Sequence, residues 1–237
     1  MHGFAPSTLL EIWEAGEDQH PVDRALTLLQ AGEPASTRAE LAGLTVAERD
    51  RRLLRLRALA AGPELAGFAE CPACAERLEF VLDSDALLGA AEPPEAESSA
   101  VVVDGETLRF RLPDSRDLAA AAQCDDAASA RRMLAERCVA GAEPRALSEE
   151  AVAALAERMA EVAGPADVDL ALACPACEET WEAVFDVASF FWTETRAAAR
   201  RLLSEVDELA RAYGWDEDVV LGLTPRRRQS YLDLARV

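Results

Sequence analysis

The hydrophobic pattern changes period along the chain and begins with a helical region. Residues 1–69 carry the Ser/Thr-x-x-Glu signature of a helix start at Thr8, Thr37 and Thr45. Pro21 suits the first turn of another helix, because its missing N–H has no partner to lose there. We therefore expect four short helices in this region.

The last of these helices is predicted to bury an apolar stripe and to stop at Gly62 and Pro63. Helical spacing on one face selects the residues of this stripe. They are Val46, Leu53, Leu54, Leu56 and Leu59.

The pattern then alternates with the period of a β-strand in two places, residues 70–112 and 166–187. Within the first, Asp104 and Gly105 join two apolar runs and predict a tight hairpin. Residues 89–100, GAAEPPEAESSA, are rich in Pro, Glu and Ser and are expected to form a connecting loop.

Helical periodicity returns in residues 113–165 and again in 188–237. The final region contains a long predicted helix that stops at Gly214, a residue suited to a left-handed C-terminal cap. A last helix is predicted to start at Thr224, with Pro225 in its first position.

Two CPAC motifs, one in each β region, supply the most specific chemical signal in the chain. They place Cys71 with Cys74 and Cys174 with Cys177. A C-x-x-C turn offers two thiolates to a metal, and two facing turns complete a tetrahedral zinc site of the zinc-ribbon kind. Closing the long loop between the motifs costs roughly 4 kcal/mol, well below the ~10–16 kcal/mol of apparent zinc binding. We expect one structural Zn²⁺.

Three alternatives to this site remain open at the sequence level. The pairs could be redox-active, although both motifs run into strands and not into the helix that activates such thiols. They could be simple buried thiols, or each pair could contribute half a site across a dimer. Ala75 and Glu178 also stand where a knuckle favours Gly, at a cost of about 1–2 kcal/mol each.

The predicted fold class is α+β and mainly helical, with a small antiparallel zinc-ribbon-like β-unit between N-terminal, inserted and C-terminal helices. The predicted regions are N-terminal helices in 1–69, a zinc-knuckle β-unit in 70–187 (formed by 70–112 and 166–187, with inserted helices in 113–165), and C-terminal helices in 188–237.

Composition narrows the function classes. The 237 residues carry a net charge of −20, which repels a phosphate backbone and disfavours nucleic-acid binding. We find no apolar run of membrane-spanning length and no secretory signal, so we expect a cytoplasmic protein. Four thiolates would close the coordination sphere of zinc, and no catalytic triad or phosphate loop is present. We expect a protein that is not an enzyme.

Two segments are candidate partner-binding surfaces. The first is the aromatic run Phe190, Phe191 and Trp192, which could equally be core packing. The second is the start of the last helix, where the positive charges oppose the helix dipole. The alternative is that these charges simply face solvent. The candidate residues of this second segment are Arg226, Arg227, Arg228 and Tyr231.

Several motifs in order resemble a bacterial family of phage baseplate proteins. This family is related to the baseplate hub assembly proteins of contractile phage tails and occurs with extracellular contractile injection systems. The resemblance covers nearly the whole chain. The motifs are LLEIWEAG…PVDRALTLLQAG, LTVAERDRRLLRLR, CPACAERLEFVLD, LRFRLPDSRDLAAA, CPAC…TWEAVFDVASFFWTE and LARAYGWDEDVVLGLTPRRRQSYLDL.

The resemblance implies a non-enzymatic role as an assembly factor, a chaperone or a minor baseplate-associated protein. Implied partners are baseplate hub, spike or tape-measure proteins, and the protein could become part of the particle. It also implies that the four motif cysteines are zinc ligands, although Ala75 and Glu178 depart from the commoner family pattern. The alternative function is a zinc-ribbon adaptor in transcription or RNA metabolism.

Overall fold

The computed structural model describes residues 3–90, 99–140, 146–163 and 168–236. The helices are α1 (Pro6–Gly16), α2 (Pro21–Gly32), α3 (Arg38–Ala42), α4 (Val46–Ala61), α5 (Ser84–Ala90), α6 (Ser115–Ala121), α7 (Ala127–Cys138), α8 (Glu149–Ala163), α9 (Val187–Tyr213), α10 (Glu217–Leu221) and α11 (Pro225–Ala235). The strands are β1 (Glu64–Glu70), β2 (Arg77–Asp83), β3 (Ala100–Val103), β4 (Glu106–Arg109), β5 (Val168–Ala173) and β6 (Thr180–Phe185). The mainly helical α+β prediction is confirmed. Most of the predicted connecting loop, 91–98, lies outside the described residues.

The N-terminal region contains the four expected helices, and three of their four predicted starts are confirmed. Thr37 forms a reciprocal capping box with Glu40 at the start of α3. Thr45 accepts from the third backbone N–H of α4, and α2 begins at Pro21. The start predicted at Thr8 is wrong, because α1 begins two residues earlier at Pro6.

The main hydrophobic core joins the N-terminal helices to α9. Phe191 is fully buried and Trp192 is 6 % exposed within this core. The six-membered ring of Trp192 lies directly over Gly16, where an added Cβ would be only 2.4 Å from a ring carbon. The contact explains why α1 ends in a residue without a side chain, since any other residue would push the indole away.

The buried face of α4 differs from the predicted apolar stripe. Leu53 and Leu54 are buried as expected, whereas Leu59 is 81 % exposed. The inward position is taken by Arg57, whose guanidinium forms a bidentate ion pair with Glu194 of α9. An ion pair that is satisfied inside the protein therefore displaces a leucine from the face that periodicity alone would select.

Within the described residues, the six strands form three separate antiparallel hairpins, β1–β2, β3–β4 and β5–β6. The turn predicted at Asp104 and Gly105 is confirmed, and both residues have the positive φ that a tight hairpin requires. Strand β1 begins at Glu64, six residues before the predicted β boundary. Its Leu65 is fully buried in the main core, so the first hairpin is anchored at its base.

The segment between the two CPAC motifs has a hydrophobic cluster of its own. This cluster joins the β3–β4 hairpin to α7 and α8. Leu155 of α8 is fully buried there, next to Leu108 and Phe110. The segment connects to the N-terminal helices at the Val46 N–H, which donates to the Pro113 carbonyl at 3.0 Å.

Asp117 of α6 holds the inserted segment together through charge-assisted hydrogen bonds. Its fully buried carboxylate accepts from Arg111 Nη1 at 2.5 Å and from Arg137 Nε at 2.8 Å. Burial by itself would raise the pKa of Asp117, but the hydrogen bonds from Arg111, the Asp114 N–H and Arg137 outweigh it. They hold this pKa well below its usual range.

We expect Asp117→Asn to lower the free energy of unfolding by about 2 kcal/mol at pH 7, because two guanidinium groups lose their anion. The folded-state pKa of Asp117 is depressed, so its contribution is complete above an unfolded-state pKa of about 3.9 and is lost as the pH falls below it. Urea titrations at pH 7 and pH 3 should therefore show a smaller gap between variant and wild type at pH 3.

The exposed carboxylate of Asp216 provides the matched control for this experiment. Asp216→Asn makes the same chemical change, and Asp216 forms no side-chain cap bond at the start of α10. Equal effects of the two substitutions, or a gap that does not narrow in acid, would contradict the role given to Asp117.

The C-terminal helices close the fold against the end of α9. Gly214 adopts the predicted left-handed conformation, with φ of 66°, and ends α9. Thr224 caps α11 as predicted, and Pro225 occupies the first turn. Leu209, Val220 and Leu232 form a small buried cluster between these helices. In the described parts of the chain, no helix combines the length and apolar character needed to cross a membrane.

Candidate metal centre

The first CPAC motif forms a tight knuckle at the tip of the β1–β2 hairpin. The last strand pair is Glu70 with Arg77, so the six residues between them make the turn. The Cys71 N–H donates to the Glu76 carbonyl at 2.9 Å, and the Ala75 N–H donates back to the Cys71 carbonyl at 2.9 Å. These two bonds fold the chain so that both motif thiols lie on the same side of the turn.

The second knuckle, at the tip of β5–β6, repeats the first. The Cys174 N–H donates to the Glu179 carbonyl at 2.8 Å, and the Glu178 N–H donates to the Cys174 carbonyl at 3.0 Å. Glu178 has a φ of 60°, the same value as its counterpart Ala75. The expected left-handed position after each second cysteine is therefore present, occupied in both copies by a residue other than glycine.

The duplication extends beyond the knuckles. Asp83 is the last residue of β2, and its side chain accepts from the N–H groups of Asp85 and Ala86 at the start of α5. Asp186 follows β6 and caps α9 in the same way. Each copy is thus a strand, a knuckle, a second strand and an Asp-capped helix. This shared geometry brings the two tips into equivalent positions.

The four thiols predicted as ligands meet at one point. The sulfur atoms of Cys71, Cys74, Cys174 and Cys177 all lie within 4.8 Å of one another. Across the hairpins, Cys71 Sγ is 3.6 Å from Cys177 Sγ, and Cys74 Sγ is 3.6 Å from Cys174 Sγ. Tetrahedral zinc with 2.3 Å bonds separates its sulfurs by about 3.8 Å, whereas a disulfide needs about 2.05 Å. The donor set therefore fits a tetrahedral metal and not a disulfide pair.

The ligands differ in exposure within each pair. Cys71 and Cys174 are each 2 % exposed, whereas Cys74 and Cys177 are open to solvent. The first cysteine of each knuckle therefore faces the protein and the second faces water. An ion at this position would be held at the surface end of the hairpins, with the protein interior on one side.

Without a cation, the neighbouring thiols oppose the ionisation of Cys74. Burial disfavours the Cys174 thiolate, but the N–H groups of Ala176 and Cys177 outweigh it and lower the pKa of Cys174 to about 7. At Cys74, the Glu76 N–H favours the thiolate, but the neighbouring thiols outweigh it and raise its pKa to about 12. A divalent cation removes this conflict, because each thiolate is then paired with positive charge.

The structure corrects the first predicted partner surface. Phe191 and Trp192 are buried in the main core, so the prediction that they face a partner is wrong for these two residues. Phe190 is half-buried and packs on Phe185 with ring centroids 5.1 Å apart. The aromatic run is needed to pack α9 onto the N-terminal helices, which is the alternative that the sequence left open.

The residues of the second predicted surface all lie on α11, but they do not all face solvent. Arg226 and Arg227 are exposed, whereas Arg228 is buried and its Nε lies 2.5 Å from Glu205 Oε2. Arg228 therefore has a structural partner within the chain and is a wrong prediction as a partner-binding residue. Tyr231 remains half-exposed and lies in an aromatic cluster. The other two members of this cluster are Tyr213 and Trp215. They were missed in the sequence because they lie at and just after the end of α9, far from Tyr231 along the chain.

Comparison of the chain with family models, with curated proteins and with solved structures finds no match in any of the three.

Proposed function

We propose that this protein is a non-enzymatic assembly factor, or a minor baseplate-associated protein, of a phage-tail-like contractile injection system, and that it contains one structural zinc ion. The observation that carries the structural part is the cluster of four thiols on two facing knuckles. The particle class is supported by the ordered set of motifs that resemble the phage baseplate family. The protein acts in the cytoplasm and binds hub, spike or tape-measure proteins.

Zinc is the metal that this donor set favours. Four thiolates select soft or borderline cations, and the sulfur separations suit bonds of about 2.3 Å. All four coordination positions are filled by protein, so no position is left for water or substrate. The ion therefore acts as a cross-link between two hairpins whose bases are already anchored in the main core.

A non-enzymatic role also agrees with the lining of one described cleft. This cleft has a volume of about 350 Å³ and lies between α2, α3 and α6. Its two basic side chains already have partners, since Arg38 pairs with Asp23 and Arg116 donates to the Ala39 carbonyl. This arrangement supports a structural junction and not a catalytic pocket.

Deleting the gene for this protein should abolish assembled sheath–tube particles, because an assembly factor is needed before the particle forms. Electron microscopy of particle preparations measures the outcome directly. Complementation with the wild-type gene should restore the particle count, and complementation with a Cys71→Ser variant should not.

Normal particle number and length in the deletion strain would refute the assembly role. A pull-down with the purified protein separates this role from the alternative. Retention of RNA polymerase subunits without tail proteins would favour a zinc-ribbon adaptor in transcription or RNA metabolism.

A further inference from the structure

Three aromatic side chains come together on the outside of the C-terminal helices. The ring centroids of Tyr213 and Trp215 are 4.7 Å apart, and those of Trp215 and Tyr231 are 4.8 Å apart. Aromatic residues make up only 5 % of the whole chain, yet both of its tyrosines belong to this cluster. The Tyr213 hydroxyl donates to the Tyr231 carbonyl at 3.1 Å and ties the end of α9 to α11. The three rings therefore form one surface that joins the end of α9 to α11.

Helix α11 continues this surface along its outer face. Its inner face is defined by Arg228 and Leu232, which are buried. Arg227, Tyr231 and Leu234 are spaced at i, i+4 and i+7, so they follow one another along a different face. Leu234 is 65 % exposed and extends the apolar part of this face beyond the Tyr231 ring. We call the set Tyr213, Trp215, Arg227, Tyr231 and Leu234 the C-terminal aromatic surface.

The charge beside this surface is uncompensated. Arg226 and Arg227 are exposed and form no ion pair with any described residue. By contrast, Arg228 pairs with Glu205 and Arg236 pairs with Glu208. The Arg227 guanidinium instead lies 5.9 Å from the centre of the Tyr231 ring. Two exposed guanidinium groups without an ion pair among the described residues, one of them against an aromatic ring, attract an anionic partner even in a chain of net charge −20.

We propose that the C-terminal aromatic surface binds an acidic amphipathic helix of a partner protein. The apolar face of that helix covers Tyr231, Leu234 and the neighbouring rings, and its carboxylates pair with Arg226 and Arg227. The i, i+4, i+7 spacing matches the way in which one helix packs along another. The inference deepens the proposed function and rests on it, since it states the chemistry by which an assembly factor recognises its partner.

A peptide selection on the purified full-length protein tests this chemistry directly. The probe is a displayed library of random peptides, each long enough for about four helical turns. Peptides selected on the wild type should be enriched in Asp and Glu, with apolar residues at i, i+3 and i+4. Fluorescence anisotropy then gives the Kd of individual labelled peptides.

The test variant is Arg227→Ser with Leu234→Ser, and the chain offers a matched control on α4. Arg55 is exposed and without an ion pair among the described residues, and Leu59 lies four positions further on and is also exposed. Arg55→Ser with Leu59→Ser thus makes the same chemical change at a distant place. The test variant should weaken peptide binding by about tenfold or more, and the control should leave it unchanged.

Three outcomes would overturn the inference. These are selected peptides without acidic enrichment, equal binding by the test and control variants, and wild-type self-association that only the test variant abolishes. The last would assign the surface to a second copy of this chain. The readout uses purified protein, so it is independent of particle assembly. If peptide binding depends on the C-terminal aromatic surface but the deletion strain makes normal particles, the proposed function is refuted and the binding inference stands.

Discussion

The Cys71→Ser variant is expected to bind no stoichiometric zinc and to unfold at a temperature about 10 °C or more below that of the wild type. Cys71 is buried and supplies one of the four thiols that meet at the hairpin tips. A serine hydroxyl does not ionise as a thiolate does, so the ion loses a ligand and the remaining thiols lose their common cation. Elemental analysis gives the zinc content, and circular dichroism gives the unfolding temperature.

Cys124→Ser is the matched control, because Cys124 lies outside the four-thiol cluster. It should retain one zinc per chain and unfold close to the wild-type temperature. Zinc should leave the wild type as the pH falls, since protons compete for the thiolates. Wild-type protein purified without a bound metal, or a Cys71→Ser variant with full zinc content, would refute the zinc site.

Arg57→Ala is expected to destabilise the fold by about 3 kcal/mol, the lower end of the range for breaking a buried ion pair. The Arg57 side chain is only 4 % exposed, and it donates to both carboxylate oxygens of Glu194 at 2.6 and 2.8 Å. It also donates to the carbonyls of Gly62 and Glu64 at 2.8 and 2.6 Å. One guanidinium therefore joins α4, β1 and α9, and its removal leaves four acceptors unpaired. Urea-induced unfolding measures the effect.

The control for this variant is Arg211→Ala, which breaks an exposed ion pair with Asp207. Both residues of that pair lie in α9, the helix that also contains Glu194. We expect a loss of no more than about 1 kcal/mol there, because water and salt screen the pair. Replacing Arg57 by Met and Glu194 by Gln together should recover part of the loss, since no unpaired charge remains. Equal effects of Arg57→Ala and Arg211→Ala would contradict the structural role of Arg57.

The candidate metal centre is the part of the molecule that the sequence predicted best. Each C-x-x-C motif defines its knuckle through local bonds, such as that from the Ala75 N–H to the Cys71 carbonyl. The two motifs were expected to meet because a four-thiolate site needs both pairs, and the structure places all four sulfurs together. The need for four ligands thus predicted a contact between two segments about a hundred residues apart, which the local pattern could not predict.

The exposure of individual side chains was predicted less well. Phe191 and Trp192 were candidates for a partner surface but fill the core, and Leu59 was expected in the core but is exposed. In each case the helix was predicted correctly, and its orientation was decided by a residue far away in sequence. Gly16 makes room for Trp192, and Glu194 draws Arg57 inwards in place of a leucine.

The sequence by itself determined the kinds of element, most helix ends and the two C-x-x-C knuckles of the candidate metal centre, because these depend on neighbours within a few positions along the chain. The tertiary structure alone decided which helix face is buried, which arginines have partners, and that Tyr213, Trp215 and Tyr231 form one surface. These properties depend on which residues from distant segments compete for the same space and charge. Periodicity identifies an apolar face, but only the packed fold decides what covers it.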